Sequence, residues 1–192
     1  MSDDTGLEAQ IRFLREADRL KGVVRASPLI DGSRRENSAE HSWHLALYAL
    51  VLGGRADPEV DVGRVIGMLL LHDIVEIDAG DAPIHGTVDP ERQGALEAAA
   101  ADRIFGLLPG AQGTELKALW LEFEEGASPD ARFAKSLDRF QPLVQNVAAG
   151  GGTWSEGNVS REQVHARYGP QIEAGSPSLW DYAKRLVARH FG

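Results

Sequence analysis

The chain of 192 residues contains no cysteine, so it forms no disulfide bond and offers no thiolate to a metal ion. It also lacks an apolar run of about 18 residues, the length from which a membrane-spanning helix is inferred. Its first residues, MSDDTGLEAQ, lack the basic segment and apolar core of a secretory signal. We therefore expect a soluble, cytoplasmic protein in which His, Asp and Glu are the only strong metal ligands.

Positive charge is also scarce, because 20 Lys and Arg residues face 29 Asp and Glu residues and leave a net charge of −9. This balance argues against a broad nucleic-acid-binding surface, since duplex binding needs many phosphate contacts. A small phosphorylated ligand needs only a local basic pocket. Only four of the cations are lysines, so we expect arginine, whose planar fork makes paired hydrogen bonds, to hold any phosphate.

The length suits one sizeable domain. We expect a single domain over residues 1–192, with a core at about 7–150 and a C-terminal helical extension at 151–192. No sustained alternation of apolar and polar residues indicates a strand, and residues 21–36 are expected to form an ordered connection. The predicted fold is an all-α bundle of about seven to eight helices. These helices are expected near 7–20, 38–52, 62–76, 90–108, 114–125, 129–147, 161–168 and 179–190, the last one capped by Ser178.

The stretch from residue 65 to 81 is strongly apolar and ends in a cluster of acidic and imidazole side chains. In a helix, His72 and Glu76 are four residues apart and Asp73 and Glu76 are three apart, so they can share one face. Burying Asp73 is unfavourable unless a cation or several donors replace its water. A metal ion would serve, but a solvated charge cluster at a helix end explains this segment equally well.

Two other polar residues stand among apolar neighbours in predicted helices. His41 precedes an apolar run, where a histidine is ordinarily a hydrogen-bonded core or boundary residue. Asp138 lies between apolar positions, where an ion pair with Lys135 or Arg139 is the ordinary explanation. Neither residue indicates a site by itself.

Taken together, three segments resemble the HD-domain superfamily of metal-dependent phosphohydrolases. They are RRENSAEHSW, LLLHDIVEIDAGD and AKSLDRFQPLVQN. The family signature is one His, then a His-Asp pair, then a distant Asp, on separate helices. The EHS and HDxxExxxGD elements are similar to the branch that contains bacterial 5′-deoxynucleotidases, and the resemblance covers about residues 7–150.

The resemblance implies an all-α enzyme that hydrolyses nucleoside 5′-monophosphates or similar small phosphate esters. It implies one divalent ion (Mn, Co, Zn, Fe or Mg) held by His41, His72, Asp73 and Asp138. By the same resemblance, Glu76 and Asp81 are the acid/base and water-orienting groups, and Arg25 is the first candidate for holding phosphate. Arg34 and Arg35 are further candidates, or form a solvated basic turn.

One position departs from the deoxynucleotidase pattern. Members of that branch follow this Arg with a Trp that packs on the sugar, whereas Arg25 is followed by Ala26-Ser27-Pro28. Strict selectivity for deoxyribose is therefore not predicted. The remaining histidines are expected to be structural, since they lack the spacing of two-metal HD phosphodiesterases.

Three functions stay open on the sequence. They are the phosphohydrolase, a metal- and nucleotide-binding sensor without turnover, and a two-metal phosphodiesterase. The presence of both Glu76 and Asp81 favours an enzyme, because a pure binder needs neither. We expect no nucleic-acid or membrane partner. The Ala-rich helix around Ala95 to Ala101 is a candidate surface for a homodimer.

Overall fold

The computed structural model describes residues 2–192, with side chains from residue 4 onward. The regular secondary structure of this part of the chain is α-helical apart from one short β-hairpin and two short 3-10 helices. Eight helices have ten residues or more, and α4 and α8 have four each, which confirms the all-α class. The helices are α1 Ser2–Ala17, α2 Ser38–Leu52, α3 Val62–Leu71, α4 Glu76–Ala79, α5 Pro90–Phe105, α6 Gly110–Glu125, α7 Pro129–Ala148, α8 Thr153–Glu156, α9 Arg161–Gly175 and α10 Pro177–Phe191.

Among the helices that the structure describes, five begin directly after a residue whose side chain caps them. Asn37 and Ser160 each form a capping box with the residue three positions on, and the Asp61 carboxylate accepts two backbone N–H groups at the start of α3. The prediction for the last helix is wrong at its start. Ser176 is its N-cap residue and Ser178 lies inside the helix.

The central apolar helix is shorter than predicted. It ends at Leu71, and the chain then turns through residues 72–75 before α4. Backbone bonds to the third preceding residue, from Ile74 to Leu71 and from Glu76 to Asp73, replace the helical pattern there. The turn follows from packing, because Met68 belongs to one hydrophobic cluster and Ile74 to another.

Residues 21–36, expected to be a connection without strands, form all but the last residue of a hairpin. Strand β1 is Val24–Pro28 and strand β2 is Arg35–Asn37, paired antiparallel with Val24 opposite Asn37. Strands of five and three residues are too short to give a sustained alternating pattern. The hairpin brings Arg25 within 3.8 Å of Glu36, so two distant charged residues become neighbours.

Two hydrophobic clusters form the core. The larger joins α2, α3 and α7 to α9 and α10, and includes Leu45, Met68, Phe133, Ile172 and Val187. The smaller lies where α1, α5 and α6 meet the turn after α3. Helix α9 continues to Gly175, beyond the predicted end, and packs with α10 against α7. Buried side chains therefore surround α7, whose middle carries Asp138.

Between residues 2 and 192, no helix is both long and apolar enough to cross a membrane.

Candidate active site

The four residues expected to bind a metal ion come together from three helical segments. His41 lies in the first turns of α2, His72 and Asp73 directly follow α3, and Asp138 lies in α7. Asp138 Oδ1 is 3.1 Å from His41 Nε2 and 3.6 Å from His72 Nε2. Asp73 Oδ1 is 3.0 Å from His72 Nε2, and Asp73 Oδ2 is 4.0 Å from His41 Nε2.

These separations suit one small cation. Ligand atoms about 2.1 Å from an ion lie about 3.0 Å apart at a right angle and about 3.4 Å apart in a tetrahedron. Among the residues that the structure describes, a single group of three or more His, Asp or Glu side chains has ligand atoms close enough to share an ion, namely His41, His72 and Asp73. Asp138 adds a carboxylate from α7.

The hydrogen bonding of His72 leaves its Nε2 atom available to a metal ion. Its Nδ1 lies 2.9 Å from the carbonyl oxygen of Leu69, an acceptor, so Nδ1 carries a proton. Its Nε2 is buried and has no hydrogen-bond partner among the described side chains, residues 4–192. The Trp120 indole N–H donates to the His72 carbonyl oxygen at 3.2 Å, and Phe123 packs edge-on against the imidazole. Helix α6 therefore holds His72 with Nε2 directed at the carboxylates.

The electrostatics of the cluster also fit a cation. Burial alone would lower the pKa of His72, but the carboxylates of Asp73 and Asp138 raise it to about 9. Burial would likewise raise the pKa of Asp138, but Arg139 and the two imidazoles hold it well below its ordinary value. The folded site therefore favours positive charge at His72, which a divalent ion would supply in place of the proton.

Glu76 and Asp81 stand beside this cluster, on and just after α4. The Ser38 hydroxyl donates to Glu76 Oε2 at 2.5 Å, and the Glu76 side chain is buried. Burial and the neighbouring Asp73 raise the pKa of Glu76 to about 8. Partial burial also raises the pKa of Asp81. A buried carboxyl group with a raised pKa beside candidate metal ligands is a typical proton-transfer arrangement.

Arg25, the candidate for holding phosphate, lies among these acids. Its Nη1 is 2.8 Å from Asp73 Oδ2, 3.5 Å from Asp81 Oδ1 and 3.8 Å from Glu76 Oε1. Burial would lower the pKa of the guanidinium, but the three carboxylates raise it, so Arg25 stays charged. Arg34 and Arg35 instead pair with Glu40 and Glu156, and neither lines the cavity.

A cavity of about 250 Å³ opens onto the site. Its wall contains Ala26 and Ser27, which follow Arg25, and the loop residue His85. Helix α9 contributes Tyr168, whose hydroxyl accepts a hydrogen bond from the Trp154 indole at 3.2 Å. The α7 side contributes Lys135 and Arg139. Arg25 therefore shares this cavity with the candidate metal ligands His72, Asp73 and Asp138.

Sequence reasoning missed the role of Glu36. This carboxylate is 2% exposed, and its Oε2 lies 3.5 Å from His41 Nδ1. Neither of those two atoms has a hydrogen-bond partner in the part of the chain that the structure describes. A carboxylate facing an imidazole in this way is common behind metal-binding histidines. The signal was the Glu of the RRENSAEHSW segment, five residues before His41, but only the hairpin places it there.

Comparison with known proteins supports a metal-dependent hydrolase site. Residues 17–180 match the family model described as HD domain. The human protein named 5′-deoxynucleotidase HDDC2 is 30% identical over 141 residues, covering 73% of this chain and 68% of that protein. The 5′-deoxynucleotidase hdd1 of Schizosaccharomyces pombe is 28% identical over 140 residues, covering 70% and 69%.

A crystal structure of a predicted metal-dependent phosphohydrolase from Magnetospirillum magnetotacticum MS-1 is similar over almost the whole chain. Its TM-score is 0.93 and its sequence identity 49%, with 98% of this chain and 94% of that chain covered.

Proposed function

The chain belongs to the HD-domain family of metal-dependent phosphohydrolases, and we propose that it hydrolyses the phosphomonoester of nucleoside 5′-monophosphates. The names of the human and fission yeast relatives support a nucleotide substrate. The observation that carries the proposal is the convergence of two imidazoles and two carboxylates beside a cavity that holds Arg25, Glu76 and Asp81.

We assign one divalent ion to His41, His72, Asp73 and Asp138. Two imidazoles and two carboxylates suit Mn, Co, Zn or Fe, and Mg less well. The buried Nε2 of His72, which lies near two carboxylates without a hydrogen-bond partner among residues 4–192, supports its role as a ligand. When bound, the ion supplies Lewis-acid polarisation of the phosphoryl group and a water of lowered pKa.

The remaining roles follow from the positions of the acids and the guanidinium. Glu76, whose pKa lies above neutrality, can hold a proton for the departing ester oxygen, as a general acid requires. Asp81 faces the same guanidinium at 3.5 Å and is assigned to orienting water. Arg25 is assigned to binding the phosphoryl oxygens. Its guanidinium can donate two parallel hydrogen bonds to them when the substrate competes with Asp73.

Selectivity for the sugar is expected to be loose. Ala26 and Ser27 line the cavity directly after Arg25, so no large aromatic side chain from this segment covers the sugar. We therefore expect both ribo- and deoxyribonucleoside monophosphates to be substrates.

The experiment that tests the function gives metal-stripped protein a panel of ribo- and deoxynucleoside monophosphates and one aryl phosphate. Mn, Co, Mg, Zn and Fe are added singly, and phosphate release is measured. We expect release that requires metal and is lost in Asp73→Ala. Asp78→Asn is the matched control, because Asp78 pairs with Arg103 outside the cavity.

Two outcomes would contradict the proposal. Nucleotide binding without phosphate release under any metal would favour the sensor. Release from diesters only, with more than one ion bound per chain, would favour the two-metal phosphodiesterase.

We also propose that two copies associate through the exposed face of α2. Four large apolar side chains lie there at helical spacing, with exposed fractions of 41% to 72%, and they are Trp43, Leu47, Leu50 and Val51. An apolar groove of about 510 Å³ adjoins them between α2, α7 and α10. A contiguous apolar patch of this kind marks an interaction surface.

In the Ala-rich helix, Ala100 and Ala101 are buried in the smaller cluster, whereas Ala95, Ala98 and Ala99 are exposed, so a dimer contact through its earlier turns stays a prediction. Sedimentation of Leu50→Lys tests the α2 interface. We expect loss of the dimer, while Leu121→Lys, on the exposed side of α6, should keep the wild-type mass. A monomeric wild type would refute this interface.

A cytoplasmic location is proposed from the substrate, because nucleoside monophosphates are formed and used inside cells. Fractionation of the producing cells tests it, and recovery of the protein outside the cytoplasmic fraction would contradict it.

A further inference from the structure

One lysine of the four differs from the others in its surroundings. Lys21, Lys117 and Lys184 each form an ion pair with an aspartate on the protein surface. Lys135 forms no ion pair within 4.0 Å and no hydrogen bond to any residue from 4 to 192, and its ammonium contacts an aromatic ring instead. Its charge opposes the rise that burial causes in the pKa of Glu124, but without direct contact. A lysine that lines the active-site cavity without a direct ion pair calls for an explanation.

The side chain of Lys135 is held in place by its stem. A Cβ atom at Gly126 would lie 3.1 Å from both Cδ and Cε of Lys135, so this glycine leaves room for the stem to pass. The ammonium lies 4.7 Å from the centre of the Phe123 ring. That ring packs edge-on against His72 at 5.1 Å between centroids. The Phe123 ring therefore contacts both the Lys135 ammonium and the imidazole of His72, a candidate metal ligand.

The acidic side chains of the cavity outnumber the cationic ones, so binding of a negatively charged phosphate needs a further positive group. Six carboxyl groups line it against three cationic side chains, and the acids are Asp73, Glu76, Asp81, Glu97, Glu124 and Asp138. Two of the cations already pair with these acids, Arg25 with Asp73 and Arg139 with Asp138. A phosphate monoester brings about −1.5 to −2 charges at neutral pH. With a divalent ion bound and Glu76 holding its proton, the five other acids balance the five positive charges, so the charge of an entering phosphate would be in excess.

We propose that Lys135 is a substrate-binding residue whose ammonium contacts the phosphoryl oxygens of the monoester. The inference rests on the proposed function, since it names the group that recognises the substrate in that site. An ammonium binds phosphate as a compact charge with three donors. Lys135 is free to do so because no direct ion pair has to be broken, whereas Arg25 must first release Asp73.

The test compares Lys135→Met, which keeps most of the stem, with Lys135→Arg and with Lys117→Met. Orthophosphate binding to each metal-loaded protein is measured by calorimetry, and KM and kcat are measured with a nucleoside monophosphate. We expect Lys135→Met to weaken orthophosphate binding and raise KM by about tenfold or more, as loss of one charge-assisted hydrogen bond does. Lys135→Arg should recover part of this loss, and Lys117→Met should match the wild type.

Measuring metal affinity distinguishes a role of Lys135 in substrate binding from a role in supporting the metal site. We expect the Kd for Mn in Lys135→Met to stay within about twofold of the wild type, because Phe123 still supports His72. Wild-type orthophosphate binding in a folded Lys135→Met protein would overturn the inference, as would a parallel loss of metal affinity. If the wild type releases no phosphate yet binds orthophosphate through Lys135, the proposed function fails and this inference stands.

Discussion

Replacing Glu36 by glutamine tests whether this buried acid orients His41 for metal binding. In the wild type, Glu36 Oε1 accepts a hydrogen bond from Gln141 Nε2 at 3.4 Å, and Oε2 faces His41 Nδ1 at 3.5 Å. A protonated Nδ1 leaves the lone pair of Nε2 free for an ion. We therefore expect the carboxylate to favour the tautomer that a metal ligand needs.

The side-chain amide introduced by Glu36→Gln could not serve both neighbours. Its oxygen would be required by Gln141, so its NH₂ group would face Nδ1 of His41 and favour the tautomer with the proton on Nε2. Loss of such a supporting partner weakens metal binding by about 10- to 100-fold. This corresponds to about 1.4–2.7 kcal/mol of binding free energy.

Calorimetric titration of metal-stripped protein with Mn measures the effect, and the absorption spectrum of the Co form reports the geometry of the site. Glu156→Gln is the matched control, because it removes an exposed partner of Arg35 whose contribution is about 0–1 kcal/mol. The reasoning is refuted if folded Glu36→Gln protein binds Mn with the wild-type Kd and gives an unchanged Co spectrum.

Three further predictions concern the ion, the packing and the guanidinium. Mn at 100 times its Kd should stabilise the fold by about 2.7 kcal/mol, as thermal unfolding measures, and an equal gain in Asp73→Ala would contradict the site. Gly175→Ala should lower the free energy of unfolding in urea by about 1–3 kcal/mol, because its Cβ would lie 2.2 Å from the Arg132 carbonyl oxygen. Gly94→Ala, in open space, should not be destabilised, and equal losses would refute this. Arg25→Lys should raise KM by about tenfold, since an ammonium cannot make the paired contacts of a guanidinium, and a wild-type KM would count against this role.

The family could be inferred from the sequence because its signal lies in residue types at set places. The sequence itself shows an EHS element, a His-Asp pair and a later Asp inside a predicted helix. The family resemblance that these elements indicate is confirmed. The structure brings His41, His72, Asp73 and Asp138 together, while their service as ligands stays a prediction. Helix starts at Asn37, Asp61 and Ser160 were also readable, because capping depends on neighbouring residues.

The turn after Leu71 and the hairpin could not be inferred. An apolar run gives no sign that Met68 and Ile74 enter different clusters, and that division ends the helix. The pairing of strands that are only three to five residues long likewise depends more on the side chains against which they pack than on the local sequence pattern.

By itself, the sequence determined the all-α class, the family and the set of acids, imidazoles and guanidinium available for chemistry, because these depend on composition and local spacing. Tertiary structure alone decided which of these groups meet. It turned Glu36 toward His41, placed four carboxylates within 3.8 Å of Arg25 and left Lys135 without a direct ion pair to any residue from 4 to 192. The physical reason is that a charge's role depends on burial and on neighbours within a few ångströms, and those neighbours are distant along the chain.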